Sequence, residues 1–368
     1  MISGQINSYQ SISPSKVFRG EKSWQAGKEY IPLICKSPLL LGRSYITSNI
    51  RNLINEDLIK LGIDPIIANL INDCCEEDLE SVSKVVRENN CDGVIAAGGG
   101  KVLDAGKLIA NRLSTPCITI PLSASTCAGF TALSNIYSST GAFIKDIQLN
   151  SCPDILIFDH DFVRTAPPRT LASGIADGLA KWYEASLSNG SSKDGFIQQS
   201  VQMARVLRDQ LFIDGLNAFK NPKSEAWERV IEGCALTAGV IGGIGGSLCR
   251  TAAAHPIHNG ITQLDYSKKS LHGEIVGFGI LIQLHLEERY SGNRLAKQSR
   301  NQLIKFLKEL NLPTTLESLG LADISNVKLN QACEFACKKD SSIHLLPFHI
   351  NQNMIFEAII NSKVKSQI

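Results

Sequence analysis

Imidazole and carboxylate are the side chains that a borderline divalent cation such as zinc selects. This 368-residue chain gathers them in His255-Pro256-Ile257-His258-Asn259-Gly260 and, a little further on, His272-Gly273-Glu274. A further carboxylate lies upstream. In the run from Ser173 to Ala185 the apolar residues Ile175, Leu179, Trp182 and Tyr183 recur at helical spacing, which leaves Asp177 an acid flanked by core positions. A buried acid wants a partner. Two histidines three apart on an apolar helix are more often packed than metal-bound, so the spacing alone leaves both readings open.

A second chemical element lies earlier. Gly93-Val94-Ile95-Ala96-Ala97 reads as a strand running into Gly98-Gly99-Gly100-Lys101, after which Leu103, Lys107 and Leu108 begin a helix. Three glycines between strand and helix let the backbone crowd a phosphate, whose charge is met by free amides and the positive end of the helix dipole. The expected ligand is a dinucleotide pyrophosphate. The element is neither GxGxxG nor a P-loop, because Lys101 is followed by Val102. A second glycine cluster, Gly239 to Gly246, lies just ahead of His255 and is expected to shape the loop feeding that helix.

The elements that must position these groups alternate through the first half. Ser37 to Gly42 reads as a buried strand, Asn49 to Leu61 as a helix, Pro65 to Leu70 as a strand, and Leu79, Val82, Val85 and Val86 as a helix face. Cys117 to Pro121 and Ile155 to Asp159 are further strands, and Asn135 to Ile144 a hairpin turning at Gly141. That is a parallel, doubly wound pattern. Beyond Pro167-Pro168 the periodicity is helical, with helices expected at 170–188, 194–210, 225–241, 252–264, 273–290, 299–309 and 329–337. The expected architecture is an α/β dinucleotide-binding domain, 1–164, and an all-helical metal-binding domain, 165–368, with catalysis in the cleft between them.

Four segments, Gly93 to Lys107, Pro121 to Tyr137, Gly174 to Ala185 and Ala252 to Gly279, resemble in order and spacing the signature segments of the glycerol dehydrogenase branch of the metal-dependent, iron-containing alcohol dehydrogenases. The resemblance implies the dehydroquinate synthase-like architecture and hydride transfer between a nicotinamide and a carbon bearing a hydroxyl. It implies that Gly98, Gly99, Gly100, Lys101 and Asp104, in an element similar to the family's GGGKxxDxxK, hold the dinucleotide. Leu122, Ser125, Thr131, Leu133 and Tyr137 are implied as further cofactor contacts. Asp177, His255 and His272 are implied as ligands of one divalent metal, zinc favoured over iron, with His258 as the catalytic relay or supporting group.

The chain departs from that branch in two places. The loop that reads Ser/Ala-Thr-Asp-Ala in glycerol dehydrogenases, where the aspartate bonds the polyol, is here Ser125-Thr126-Cys127-Ala128. A weakly polar thiol replaces an ionised acceptor, so glycerol is expected to be a poor substrate and a 2-oxo acid a better one. Similar Thr-Cys-Ala loops occur in members resembling hydroxycarboxylate dehydrogenases. The strand ending Leu41-Gly42 is followed by Arg43-Ser44, which puts Arg43 where the acid for the adenosine ribose is expected. An arginine there accommodates a 2′-phosphate, so NADP is expected over NAD.

A balance of 37 basic to 35 acidic residues gives no electrostatic reason to expect nucleic acid, and no stretch is read as a membrane span. Met1-Ile2-Ser3-Gly4-Gln5 does not read as an export signal. Eleven cysteines without a CxxC pair are read as reduced thiols, and a cytoplasmic homo-oligomer acting on a small molecule is expected. Dehydroquinate synthase, a lyase of the same architecture, is disfavoured because its substrate calls for more lysine and arginine than the cleft is expected to offer. A non-catalytic relative is disfavoured by the intact glycine loop and ligands.

Overall fold

The computed structural model describes residues 10–264 and 270–362; the N-terminal reading of Met1 to Gln5 lies outside them. Six parallel strands form one sheet: β1 (Lys16–Gly20), β2 (Leu39–Gly42), β3 (Ile66–Asn69), β4 (Val94–Gly98), β5 (Cys117–Pro121) and β8 (Ile155–Asp159), in the order β1-β8-β5-β4-β2-β3. β6 (Leu133–Tyr137) and β7 (Phe143–Gln148) pair separately as an antiparallel hairpin, with Gly141 at φ +89° in its turn. The helices of this half are α1 (Ser23–Gly27), α2 (Ser48–Lys60), α3 (Glu76–Glu88), α4 (Gly100–Leu113) and α5 (His160–Arg164).

The strands are short apolar runs because both faces are covered. Leu39 and Leu41 of β2 join one core with α3 and α4, while Leu40 joins another with Trp24, Ile54 and Leu58. The connection after β2 leads outward to β3, whereas the one after β4 leads the other way to β5. The carboxyl ends of the adjacent strands β2 and β4 therefore flank the crevice where an open α/β sheet binds its ligand. β1 has no counterpart in the sequence reading: it is an edge strand of five residues, half exposed, with no apolar run to betray it.

The helical half holds α6 (Pro168–Asn189), α7 (Gly195–Lys220), α8 (Glu225–Glu232), α9 (Ala238–Gly245), α10 (Ala254–Ile261), α11 (His272–Tyr290), α12 (Arg294–Glu309), α13 (Asn326–Ala336) and α14 (Gln352–Asn361). α7 continues well past the expected 210 because Leu207, Leu211, Gly215 and Ala218 prolong one buried stripe. Its core also takes in Leu156 and Phe158 of β8, so the two halves share packed side chains. One run, Glu225–Cys249, passes by length and mean hydropathy, 1.4, as long and apolar enough to cross a membrane. That corrects the expectation that no stretch reads as a span. In the structure 61% of that window is buried, because its Ala, Ile and Val face α6 and α7. A π-helical turn, Gly233–Thr237, sits within it.

Candidate active site

The two halves enclose a cleft of about 930 Å³, lined at one end by Arg43 and Gly98 to Lys101 and at the other by Asp177, His255 and His272. Asp177 lies on α6, His255 on α10 and His272 begins α11. The His-Gly-Glu run holds these helices together. A Cβ on Gly273 would stand 1.8 Å from the Ser173 carbonyl oxygen, so only glycine lets α11 come this close to α6. Glu274 accepts from the Leu271 N–H at 2.8 Å, capping α11, and takes Arg169 of α6 through two bonds of 2.5 and 2.6 Å. On the other side of α6, a Cβ on Gly174 would lie 1.9 Å from the Ala124 carbonyl oxygen, which brings Asp177 under the loop after β5.

One carboxylate oxygen and two ring nitrogens converge, with ligand atoms all within 4.8 Å of one another. Asp177 Oδ1 lies 3.4 Å from His255 Nε2, 3.5 Å from His272 Nε2 and 3.7 Å from Lys181 Nζ. Among the described residues it is a buried oxygen without a hydrogen-bond partner. An orphaned carboxylate oxygen facing two imidazole nitrogens at these distances fits a divalent cation among them.

The surrounding bonds decide which nitrogens face inward. Glu184, fully buried, accepts from the Ala252 N–H at 2.7 Å, the His255 N–H at 3.1 Å and His255 Nδ1–H, which leaves Nε2 for the centre. His258 Nδ1–H donates to Asn259 Oδ1 at 2.8 Å, so its Nε2 accepts from His272 Nδ1 at 3.0 Å, and His272 likewise keeps Nε2 inward. Burial opposes charging His255, but the neighbouring Glu184 and Asp177 carboxylates outweigh it and hold the ring up at about 9. Burial would raise Asp177 too, yet Lys181 and the two histidines hold it well below the usual carboxylate range. His258 is pushed down by burial and by neighbouring His272, and stays neutral. The centre is built to hold positive charge.

At the glycine-loop end Gly99 precedes the first turn of α4, whose leading N–H groups have no partner within the helix. None of the three glycines has positive φ; they are needed for space. A Cβ on Gly100 would meet Thr126 Oγ1 at 2.9 Å, and one on Gly99 would fill a cradle whose nearest atom is Ser123 Oγ at 3.9 Å. Ser125, Thr131, Leu133 and Tyr137 line the cleft, and Lys101 Nζ sits 4.7 Å above the Tyr137 ring. Asp104 ties α4 to the hairpin, paired with Lys107 at 3.2 Å and bonded by the Asn135 N–H at 3.3 Å. Leu122 does not line the cleft: its side chain is buried with Ile118 and Ile120 beneath the loop.

The sequence reading missed several groups. Asp73, following β3, accepts from Lys101 and lies 3.7 Å from Arg43, so an acid from beyond the neighbouring strand stands beside the arginine at the end of β2. Lys181 and Glu184 stand one and two helical turns after Asp177 on the same face, a spacing that marks both. Six lysines and arginines among the described residues line the cleft, Arg43, Lys101, Lys145, Lys181, Arg250 and Lys338, more than the sequence reading allowed. Of the glycines 239 to 246, Gly239 would clash with Phe130 and Gly243 with the Ile12 carbonyl, so that cluster serves close packing.

Residues 14–160 match the model of the iron-containing alcohol dehydrogenases. Over 301 residues the chain is 48% identical to an uncharacterized oxidoreductase of Synechocystis, slr1167, covering 82% of this chain and 78% of that one. It is 30% identical over 300 residues to hydroxycarboxylate dehydrogenase A of Escherichia coli, covering 80% of each. The glycerol dehydrogenase of Schizosaccharomyces pombe superposes with a TM-score of 0.85 at 28% identity, over 96% of this chain and 90% of that one. A fold, a site and relatives that agree over most of the length make the chain an oxidoreductase belonging to the iron-containing alcohol dehydrogenase family.

Proposed function

We propose that this oxidoreductase interconverts a small 2-hydroxy acid and its 2-oxo acid, using a nicotinamide dinucleotide at Gly98 to Lys101 and a divalent metal, zinc favoured, held by Asp177, His255 and His272. The orphaned Asp177 Oδ1 between two inward Nε2 atoms is the observation that carries it. A cation there supplies Lewis acidity to the substrate oxygen. The chain's own residues orient: Glu184 and His258 set the two histidine tautomers, and Ser123, Ser125, Thr126 and Cys127 line the cleft beside them. A nicotinamide dinucleotide held at Gly98 to Lys101 would supply the hydride for reduction of a carbonyl carbon, the oxygen taking its proton from solvent. A metal-loaded protein that neither binds the dinucleotide nor turns over anything in a panel of alcohols, polyols and 2-oxo acids sinks the proposal.

Cys127 supports the acid over the polyol. Its thiol is half-buried against the cleft and burial raises its pKa, so a neutral group faces the substrate. Cys127→Asp is expected to lower kcat/KM for a 2-oxo acid about 10-fold or more through charge repulsion, and to improve glycerol oxidation. Glycerol as the best substrate of the native protein removes this reading.

The dinucleotide is proposed to be NADP, on Arg43 at the carboxyl end of β2. Asp73 lies 3.7 Å from that guanidinium, so a 2′-phosphate would share Arg43 with it. In Arg43→Asp the NADPH to NADH ratio of kcat/KM should fall about 10- to 100-fold. A native preference for NADH, or no change on substitution, contradicts it. We place the domain division at 164/165 and favour a cytoplasmic homo-oligomer, in keeping with eleven free cysteines; the near-neutral charge favours neither nucleic acid nor membrane as a partner.

A further inference from the structure

Arg250 precedes α10 and lines the cleft. Its side chain is 14% exposed. Among the described residues its partners are few for a group with five donors: Nε to the Gly246 carbonyl at 3.3 Å, and Asp146 Oδ2, on a largely exposed side chain, at 3.8 Å. Its stem lies along α9, where a Cβ on Gly242 would come within 3.2 Å of Arg250 Cδ, so the head has little freedom. Lys181 is buried on α6, with Nζ 3.7 Å from Asp177 Oδ1, beyond a good hydrogen bond. All three of Arg250, Lys181 and Cys127 line the cleft, and the segment bearing Arg250 runs along α6, where Glu184 accepts from the Ala252 N–H at 2.7 Å and Asn189 donates to the Leu248 carbonyl at 2.7 Å. Burial also lowers the Arg250 pKa, which is the mark of a cation without full compensation.

We propose that Arg250 and Lys181 form a carboxylate subsite beside the Asp177, His255 and His272 centre, which makes a 2-oxo or 2-hydroxy acid the substrate class. This deepens the proposed function and rests on it. Arg250, desolvated and with few partners, is costly until an anion enters, and its planar guanidinium matches a carboxylate through two parallel bonds, with the Lys181 ammonium adding attraction. A neutral polyol in the same place leaves their donors unpaired, which is the stronger form of discrimination. A carboxylate anchored there presents its 2-carbon toward the metal ligands, with the neutral Cys127 adding no repulsion.

The test compares a matched pair, 2-oxobutanoate and 1-hydroxy-2-butanone, in metal-loaded native protein and in Arg250→Gln and Arg250→Lys. We expect the native protein to favour the oxo acid, and the oxo acid to hydroxyketone ratio of kcat/KM to fall about 10- to 100-fold in Arg250→Gln and less in Arg250→Lys. Titration calorimetry with 2-hydroxy-2-methylpropanoate, which has no hydride to give, should show binding to the native protein and loss of it in Arg250→Gln at equal metal content. A native preference for the hydroxyketone, an equal loss on both substrates, or undiminished calorimetric binding in Arg250→Gln overturns the subsite while leaving the dehydrogenase reading intact. No turnover of either substrate by the native protein overturns both.

Discussion

His272→Ala is expected to remove the bound metal and reduce turnover by on the order of 10³-fold or more, while dinucleotide binding stays within about 3-fold of native. The ring supplies one of only two inward imidazole nitrogens, and without it Asp177 Oδ1 keeps a single histidine nearby at 3.4 Å. The glycine loop precedes α4 rather than α11, and Glu274 keeps its bonds to the Leu271 N–H and Arg169, so the start of α11 stays in place. Metal analysis after dialysis, steady-state kinetics and quenching of dihydronicotinamide fluorescence read the three quantities separately. Retained metal with retained activity excludes His272 as a ligand.

Glu184→Gln is the more informative substitution, because it changes one heavy atom and leaves the volume. The native carboxylate accepts three bonds, two from backbone N–H groups and one from His255 Nδ1. A glutamine can satisfy the backbone donors with its oxygen, but then turns an NH₂ toward Nδ1. The ring must answer with a lone pair, which moves its proton to Nε2 and aims a donor at Asp177 where a ligand is needed. Metal affinity is expected to fall about 10- to 100-fold, with folding largely preserved. Competition with a chelator measures the affinity and thermal melting checks the fold. An unchanged metal affinity would mean that Glu184 serves only to anchor the start of α10.

Much of this arrangement was legible in the chain itself. The doubly wound half is written in short apolar runs separated by amphipathic ones, since burial on both faces of a strand leaves no room for polar alternation. The glycines before Lys101, the Gly174 to Asp177 run, and the His255 and His272 elements were readable because each packs a requirement for space and a chemical group into a few neighbouring residues. Leu122 was readable as a member of the loop but not as a core residue, since sequence gives no direction to a side chain after a strand ends. β1 stayed hidden because an exposed edge strand makes no demand on composition.

What only the tertiary structure decided is which distant groups become neighbours. Asp73 meets Arg43 and Lys101 because β2 and β4 lie side by side with β3 outside them, an order that strand patterns do not encode. Lys181 and Cys127 come to line one cleft because α6 passes under the loop after β5 through the gap that Gly174 leaves. The composition alone established the supply of imidazoles, carboxylates and cations. Their charge states, tautomers and pairing follow from burial and from the one or two atoms each touches, and those are set by helix crossings between segments far apart in the chain.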